Sequence, residues 1–272
     1  MSDPLLISSL QNPRIKQALK LRERSTRKET DLFLIEGYRE LLRAVDAGRN
    51  IETLFFCPEL YLGSNEGDLI RKIAHTGAQL LRCTEPVFRK ISYRDRPDGL
   101  LAVAPQQHLS IADLAAQLNP NPFLIVAEAI EKPGNLGTIL RCSDAVGLDG
   151  LILCDPCTDI HNPNVVRASV GTLFTVPVVE AKGAETLAWL KQQGITILAA
   201  TPHAEKEFTE VDLTGPLAIA VGTEQLGLSP LWLEQATLQV RIPMCGIADS
   251  LNVAMATTVL LYEALRQRRL KS

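Results

Sequence analysis

The sequence predicts an α/β protein in which a larger, mainly parallel sheet with helices on both faces follows a smaller α/β domain. Three observations carry this. From residue 123 onward, continuous apolar runs such as FLIVAEAI, GLILCD and LAIAVG alternate with helical segments, the pattern of strands buried on both faces. Residues 30–106 show the same alternation on a smaller scale. The chain has 272 residues and is 46% hydrophobic, enough for a sizeable core in one large domain or two unequal ones.

Taken in order, QNPRIKQALKLRERSTRK (11–28) reads as one basic helix, opened by Asn12 as cap and Pro13 in the first turn. LFLIE is strand-like, and YRELLRAVDAG has helical periodicity ending at Gly48. IETLFFCP is a strand closed by Pro58, and LIRKIAHTG a short amphipathic helix ended by Gly77. AQLLRCT is a strand, EPVFRKIS a helix and GLLAVAP a last strand. This gives a first domain over 1–106 and a linker over 107–120, within QQHLSIADLAAQLNPN. The second domain, 121–272, has strands FLIVAEAI, GLILCD, LFTVPVVE, ITILAATP, LAIAVG and ATLQVRIP. Its helices are NLGTILRCSDAVG, AETLAWLKQQG and SPLWLEQA, with a last buried helix after Ser250, where no charge occurs until Glu263.

The formal net charge is -3, but it is uneven: residues 1–100 carry +3 and the remainder -6. Residues 11–28 hold seven basic side chains and one acid, a local patch able to meet a polyanion. Six cysteines in mostly apolar surroundings, with no basic region feeding an apolar stretch at MSDPLLISSL, fit free thiols in a reducing cytoplasm. The Cys154–Cys157 pair is too small a set for a zinc site, and Pro156 places it in a loop. No apolar run reaches the roughly 20 residues of a membrane span.

In a parallel α/β sheet, ligands sit beyond the carboxyl ends of strands. Polar residues and glycines break the apolar pattern at three such ends: AEAIEKPGNLGTILRCSDAVG, LAIAVGTEQLGLS and IPMCGIADSLNV. Each alone is an ordinary cap or turn; together they point to one shared cleft. KPGNLGTIL lacks the two closely spaced glycines of the dinucleotide fingerprint, and no GxxxxGK[ST] occurs. Dehydrogenase and ATPase readings are therefore disfavoured.

Together the three junctions resemble the SpoU/TrmH family of RNA 2'-O-ribose methyltransferases. NLGTILR (135–141) is similar to its first motif, VGTEQLGLS (221–229) to its second and IPMCGIADSLNVAMA (242–256) to its third. In the third, Asp249 stands where many relatives have other small or polar residues. LFLIEG (32–37) and VFRKIS (87–92) resemble the small L30e-like substrate-binding domain of many members. The resemblance implies a deep trefoil knot in the second domain, a homodimer through that domain, and S-adenosyl-L-methionine as methyl donor, with no metal.

It implies a catalytic group of Arg141, Asn135, Glu224, Ser250 and Asn252, with Glu224 orienting Asn135 and Asn135 positioning the ribose or holding Arg141. The cofactor residues it implies are Leu198, Ala200, Thr201, Gly222, Glu224, Leu226, Gly227, Ile242, Met244, Ser250, Leu251 and Asn252. The expected substrate is 23S ribosomal RNA. The alternatives are transfer RNA or a non-catalytic RNA-binding assembly factor. RNA contacts are expected from Arg14, Lys16, Arg24, Arg27, Lys28 and Arg167, with Lys20 and Arg22 in the same patch and Arg27 and Lys28 best placed. Asn162 and Arg167 fall in a further substrate-facing segment, and His161 is expected on a surface loop. Aromatic residues are only 5% of the chain, so broad base-stacking platforms are not expected.

Overall fold

A computed structural model describes residues 4–271; the outermost ends of the two expected domains, 1–3 and 272, lie outside the described residues. The chain runs β1 (Leu5–Ile7), α1 (Pro13–Lys20), α2 (Arg24–Thr30), β2 (Leu32–Glu36), α3 (Tyr38–Asp46) and β3 (Thr53–Phe56). Next come α4 (Glu66–His75), β4 (Gln79–Cys83), α5 (Glu85–Ile91), β5 (Leu100–Pro105), α6 (Ile111–Ala115), β6 (Phe123–Glu128), α7 (Pro133–Ala145) and β7 (Gly150–Cys154). Then follow α8 (Pro163–Ser169), β8 (Val178–Ala181), α9 (Gly183–Gln192), β9 (Thr196–Ala200), β10 (Leu217–Val221), α10 (Pro230–Gln235), β11 (Leu238–Val240) and α11 (Val253–Lys271).

These elements form two compact units. The first runs through Gln107 and also takes in Asp159–Thr175; the second is His108–Thr158 with the chain from Val176 onward. The division differs from the expected boundaries in two ways. The stretch read as a linker holds α6, capped by a reciprocal Ser110–Asp113 box, and its Leu114 is fully buried in the core of the second unit. And α8, expected in the second domain, packs on β2 of the first unit.

The first unit has a mixed five-stranded sheet in the order β1-β4-β3-β5-β2, with β5 antiparallel to both neighbours. Ile15, Leu34, Phe55, Leu81, Phe88 and Leu101 close its core. The strand β1 was not expected; three residues are too few to show a period. The basic helix expected over 11–28 is two helices, α1 and α2, broken at Leu21–Glu23.

Arg27 explains the break. Its side chain is 2% exposed, and its guanidinium donates to Asp159 at 2.6 and 2.8 Å and to the carbonyls of Leu21 and Arg22 at 2.9 and 2.8 Å. The carbonyls that α1 leaves unsatisfied at its end thus find a buried donor. Arg27 is therefore not an RNA contact, contrary to expectation; Arg14, Lys16, Lys20, Arg24 and Lys28 remain exposed. Arg27→Ala should destabilise the protein by about 3 kcal/mol, because it strands Asp159 without its cation. Lys28→Ala should stay within about 0.5 kcal/mol, and urea unfolding of the two variants checks both.

The segment after Asp159 follows the same logic. His161, expected at the surface, is 5% exposed and lies 4.7 Å from the Phe33 ring, because the pairing of Asp159 with Arg27 draws this turn inward. Asn162 is a helix cap, its side chain accepting from Asn164 N at 2.9 Å. The expected strand LFTVPVVE starts only at Val178; Thr172–Phe174 is a 3-10 turn, and Phe174 packs 6.2 Å from Phe33.

The second unit is a six-stranded sheet, all parallel, in the order β11-β9-β10-β6-β7-β8. Leu124, Val126, Ile197, Ala199, Ala218 and Ala220 pack with Leu187, Leu190 and Trp232 from α9 and α10. Side chains alternate along a strand, so Ile125, Leu198 and Ile219 face the other way. They are fully buried too. On that side lie α7 and α11, which pack on each other, on β7 and on β10. Both faces are covered, as continuous apolar strands require.

Candidate active site

Three chain segments leave the sheet at its carboxyl edge and meet. β6 leads through Ile130 and Lys132 into α7, whose first turn carries Asn135. β10 leads into a tight loop, Gly222–Gly227. Thr223 N donates to Gly227 O at 2.9 Å, and Gly227 N returns a bond to Thr223 O at 3.1 Å. The loop closes so tightly that a Cβ on Gly222 would lie 2.1 Å from the Gly227 carbonyl oxygen and 2.4 Å from Leu228 N. Gly227 itself adopts φ +68°, the left-handed region that glycine tolerates. β11 leads through 241–252 into α11, which Asn252 caps by accepting from Ala254 N at 3.0 Å.

The side chains form one chain of hydrogen bonds. Asn252 Nδ2 donates to Asn135 Oδ1 at 3.2 Å and to Glu224 Oε1 at 3.1 Å. Asn135 Nδ2 donates to Glu224 Oε1, and Lys132 Nζ donates to Glu224 Oε2. Glu224 is thus the common acceptor of three donors from two other segments. The Lys132 ammonium, and after it the Asn135 amide, hold the Glu224 carboxyl below its ordinary value of 4.5. Lys132, Asn135, Thr223, Glu224, Ile130 and Val253 border a shallow hollow. Behind it, buried Glu128 at the end of β6 accepts from Ser229 N at 2.8 Å and Ser229 Oγ at 2.6 Å, tying the second junction to the first.

Asn135, Glu224 and Asn252 of the expected catalytic group therefore touch. Arg141 and Ser250 are exposed and do not join them. Arg141 lies six residues beyond Asn135 on α7, roughly 120° around the helix, so Asn135 does not hold it. The expected cofactor residues line the ends of β9, β10 and β11, which are neighbours in the sheet. Leu198 is fully buried with its side chain in the core, so only its backbone faces the strand edge. Ala200, Ile242 and Met244 are partly exposed, and Thr201 N is bonded to Val240 O at 2.9 Å. Leu226 and Leu251 stand in solvent at 88% and 39% exposure.

Lys132, Glu128 and Ser229 were missed. Lys132 precedes the proline that opens α7, and a lysine before a helix reads as a solvated charge. Its role shows only once Glu224, 92 residues on, is placed beside it.

An all-parallel sheet with a polar cluster beyond its strand ends defines an α/β enzyme domain, joined here to a smaller α/β domain. Residues 122–262 match the SpoU rRNA Methylase family, and residues 12–102 the MRM3-like substrate binding domain. The chain is 31% identical over 259 residues to a 23S rRNA (uridine(2479)-2'-O)-methyltransferase of Streptomyces viridochromogenes, covering 93% of this chain and 88% of that protein. It superposes on the crystal structure of an RNA 2'-O ribose methyltransferase with TM-score 0.86 at 42% identity, covering 97% and 100% of the two chains. An AdoMet-bound rRNA methyltransferase from Sinorhizobium meliloti matches with TM-score 0.87 at 30% identity, over 96% and 97%. The chain belongs to the SpoU rRNA Methylase family.

Proposed function

We propose that the protein transfers a methyl group from S-adenosyl-L-methionine to the 2'-hydroxyl of one ribose in 23S ribosomal RNA. The observation that carries this is the meeting of Asn135, Glu224 and Asn252, one from each of three separate motifs, at the carboxyl edge of a parallel sheet. The names of the relatives support ribosomal RNA over transfer RNA as substrate.

The residues present fit the methyl donor. The ends of β9, β10 and β11 offer backbone groups, Gly227 leaves its backbone bare of side chain, and Leu226 and Leu251 supply apolar walls. A bound sulfonium donor supplies an already activated methyl group. What this chain must add is alignment of the ribose oxygen and a place for the charge that develops on it. Asn252 uses both amide hydrogens and its oxygen inside the cluster, so Asn135, whose Nδ2 carries a second hydrogen, is the one placed to meet the ribose. Glu224 itself is ionised but already accepts from three donors, which suits an orienting role better than proton removal. Arg141 offers five N–H donors and no acceptor, so it acts not as a base but through charge on the ribose and adjoining phosphate.

Arg141 makes no hydrogen bond or ion pair among the described residues, and its own chain's cluster leaves it out. Supply from a second copy would give it a site, and supply within the chain is the alternative. The exposed Met255 and Tyr262 on α11, at 56% and 49%, support a homodimer through this unit. The trefoil knot and a cytoplasmic location belong to the same reading. The test is transfer of labelled methyl from the donor to total RNA of a strain lacking the gene, with mapping of the modified nucleotide. Label at one 2'-hydroxyl of 23S RNA is the expected result; label only on transfer RNA, or none, rejects it.

A further inference from the structure

The first unit holds an aromatic ring that is fixed at its hydroxyl and over one face, on an anchored backbone, yet left partly exposed. Tyr93 is 37% exposed, and with Tyr262 it is one of two exposed aromatic side chains among the described residues. Its backbone N–H donates to Glu36 Oε2 at 2.7 Å. Its hydroxyl accepts from Asn164 Nδ2 on α8 at 3.0 Å. The Arg22 guanidinium lies 5.7 Å from the ring centroid, and it is itself held by the carbonyls of Lys90, Ile91 and Ser92 at the end of α5, at 3.0, 2.9 and 2.6 Å.

Holding this ring is costly. Glu36 is a buried carboxylate, 8% exposed, and burial pushes its pKa up. Ser92 Oγ also donates to Glu36, and Arg94 Nη donates to the Glu36 carbonyl at 2.9 Å. A buried polar network of this kind rigidifies what it touches.

Arg94 is paired with Glu40, and the exposed charge beside the ring is mainly basic. Tyr93, Arg94 and Arg167 border a shallow surface hollow, backed by the buried side chains of Leu34, Glu36, Pro163 and Val166. Arg96 is exposed in the same loop, as is one acid, Asp95. The hollow is too shallow to enclose a ligand, so a base would lie against the exposed ring and not enter a pocket.

We propose that Tyr93 is a stacking platform for a single unpaired base of the RNA substrate, with Arg167 and Arg96 taking the flanking phosphates. This rests on the methyltransferase reading and adds a recognition site to it. One fixed ring, not a broad aromatic surface, grips a base of any identity through its π face, while the arginines supply charge. A ring already held in place loses little freedom on binding.

The test measures binding of a short fluorescein-labelled single-stranded RNA and of the same RNA with abasic riboses. Tyr93→Ala should weaken binding of the base-bearing RNA by about tenfold and leave the abasic RNA unchanged. Tyr93→Trp should keep the affinity and lose part of its added indole emission when RNA is bound. Equal affinity of Tyr93→Ala and wild type for the base-bearing RNA overturns the proposal. So does a tryptophan at 93 whose emission ignores RNA. If Tyr93→Ala proves unstable, wild-type protein that binds abasic and base-bearing RNA alike overturns it as well. Methyl transfer to total RNA is run beside these: its absence in wild type counts against the enzymatic reading. Its presence, with the same KM in Tyr93→Ala, counts against the platform alone.

Discussion

Replacing Arg141 by alanine is expected to lower kcat for methyl transfer by roughly 1,000-fold while changing the affinity for S-adenosylmethionine by less than about twofold. Arg141 sits on an exposed face of α7 and supports no fold contact, so its loss should not unfold the chain. The role proposed for it is a charge brought to the ribose oxygen and phosphate, and on that reading Arg141→Lys should recover only part of it, lacking the planar fork. Calorimetric titration of the donor separates binding from turnover, and undiminished turnover would remove Arg141 from the mechanism. Co-expression with an Asn252→Ala chain decides where the arginine acts. Supply from a second copy lets mixed dimers regain one working site; supply within the chain leaves them dead.

Glu224→Ala should cost about 100-fold in kcat, because three donors lose their common acceptor and the two asparagines are free to turn. The carboxylate is exposed, so the expected loss is of geometry and not of fold stability. The sign of the pH effect follows from its lowered pKa. Glu224 stays ionised as pH falls to 4.5 and below, so the arrangement it holds is complete above that value and is lost only in more acidic solution. Glu224→Gln removes the charge but keeps one acceptor oxygen, and should lie between wild type and alanine with no acidic limb of its own. An activity profile in wild type that falls between pH 6 and 7 with the titration of this carboxyl would contradict the assignment.

The three junction motifs were legible because the chemistry is visible against its background. Asn135, Glu224 and Asn252 interrupt some of the most apolar stretches of the chain at strand ends, where core packing offers no reason for them. The parallel sheet was legible for the same reason, through its unbroken apolar strands. Arg27 was not. A basic residue on an amphipathic helix counts as solvated until a distant acid is known to sit beneath it, and Asp159 is 132 residues away. The same distance hid the membership of α8 in the first unit and the burial of His161. Lys132 was missed for a different reason: it contacts only an exposed carboxylate, a pairing that no local period records.

The return of Asp159–Thr175 to the first unit bears on how the protein is made. A nascent polypeptide that has emerged only as far as Gln107 has Arg27 but not its acid, and β2 without the helix that covers it. Translation must pass through β6, α7 and β7 before those pieces exist. The small unit therefore reaches its finished form late, although it is encoded first, against the usual order in which N-terminal domains complete themselves during synthesis. A gene fragment cut at the apparent boundary near residue 107 would encode a domain with an open seam, so an excised small domain needs the 159–175 segment grafted back.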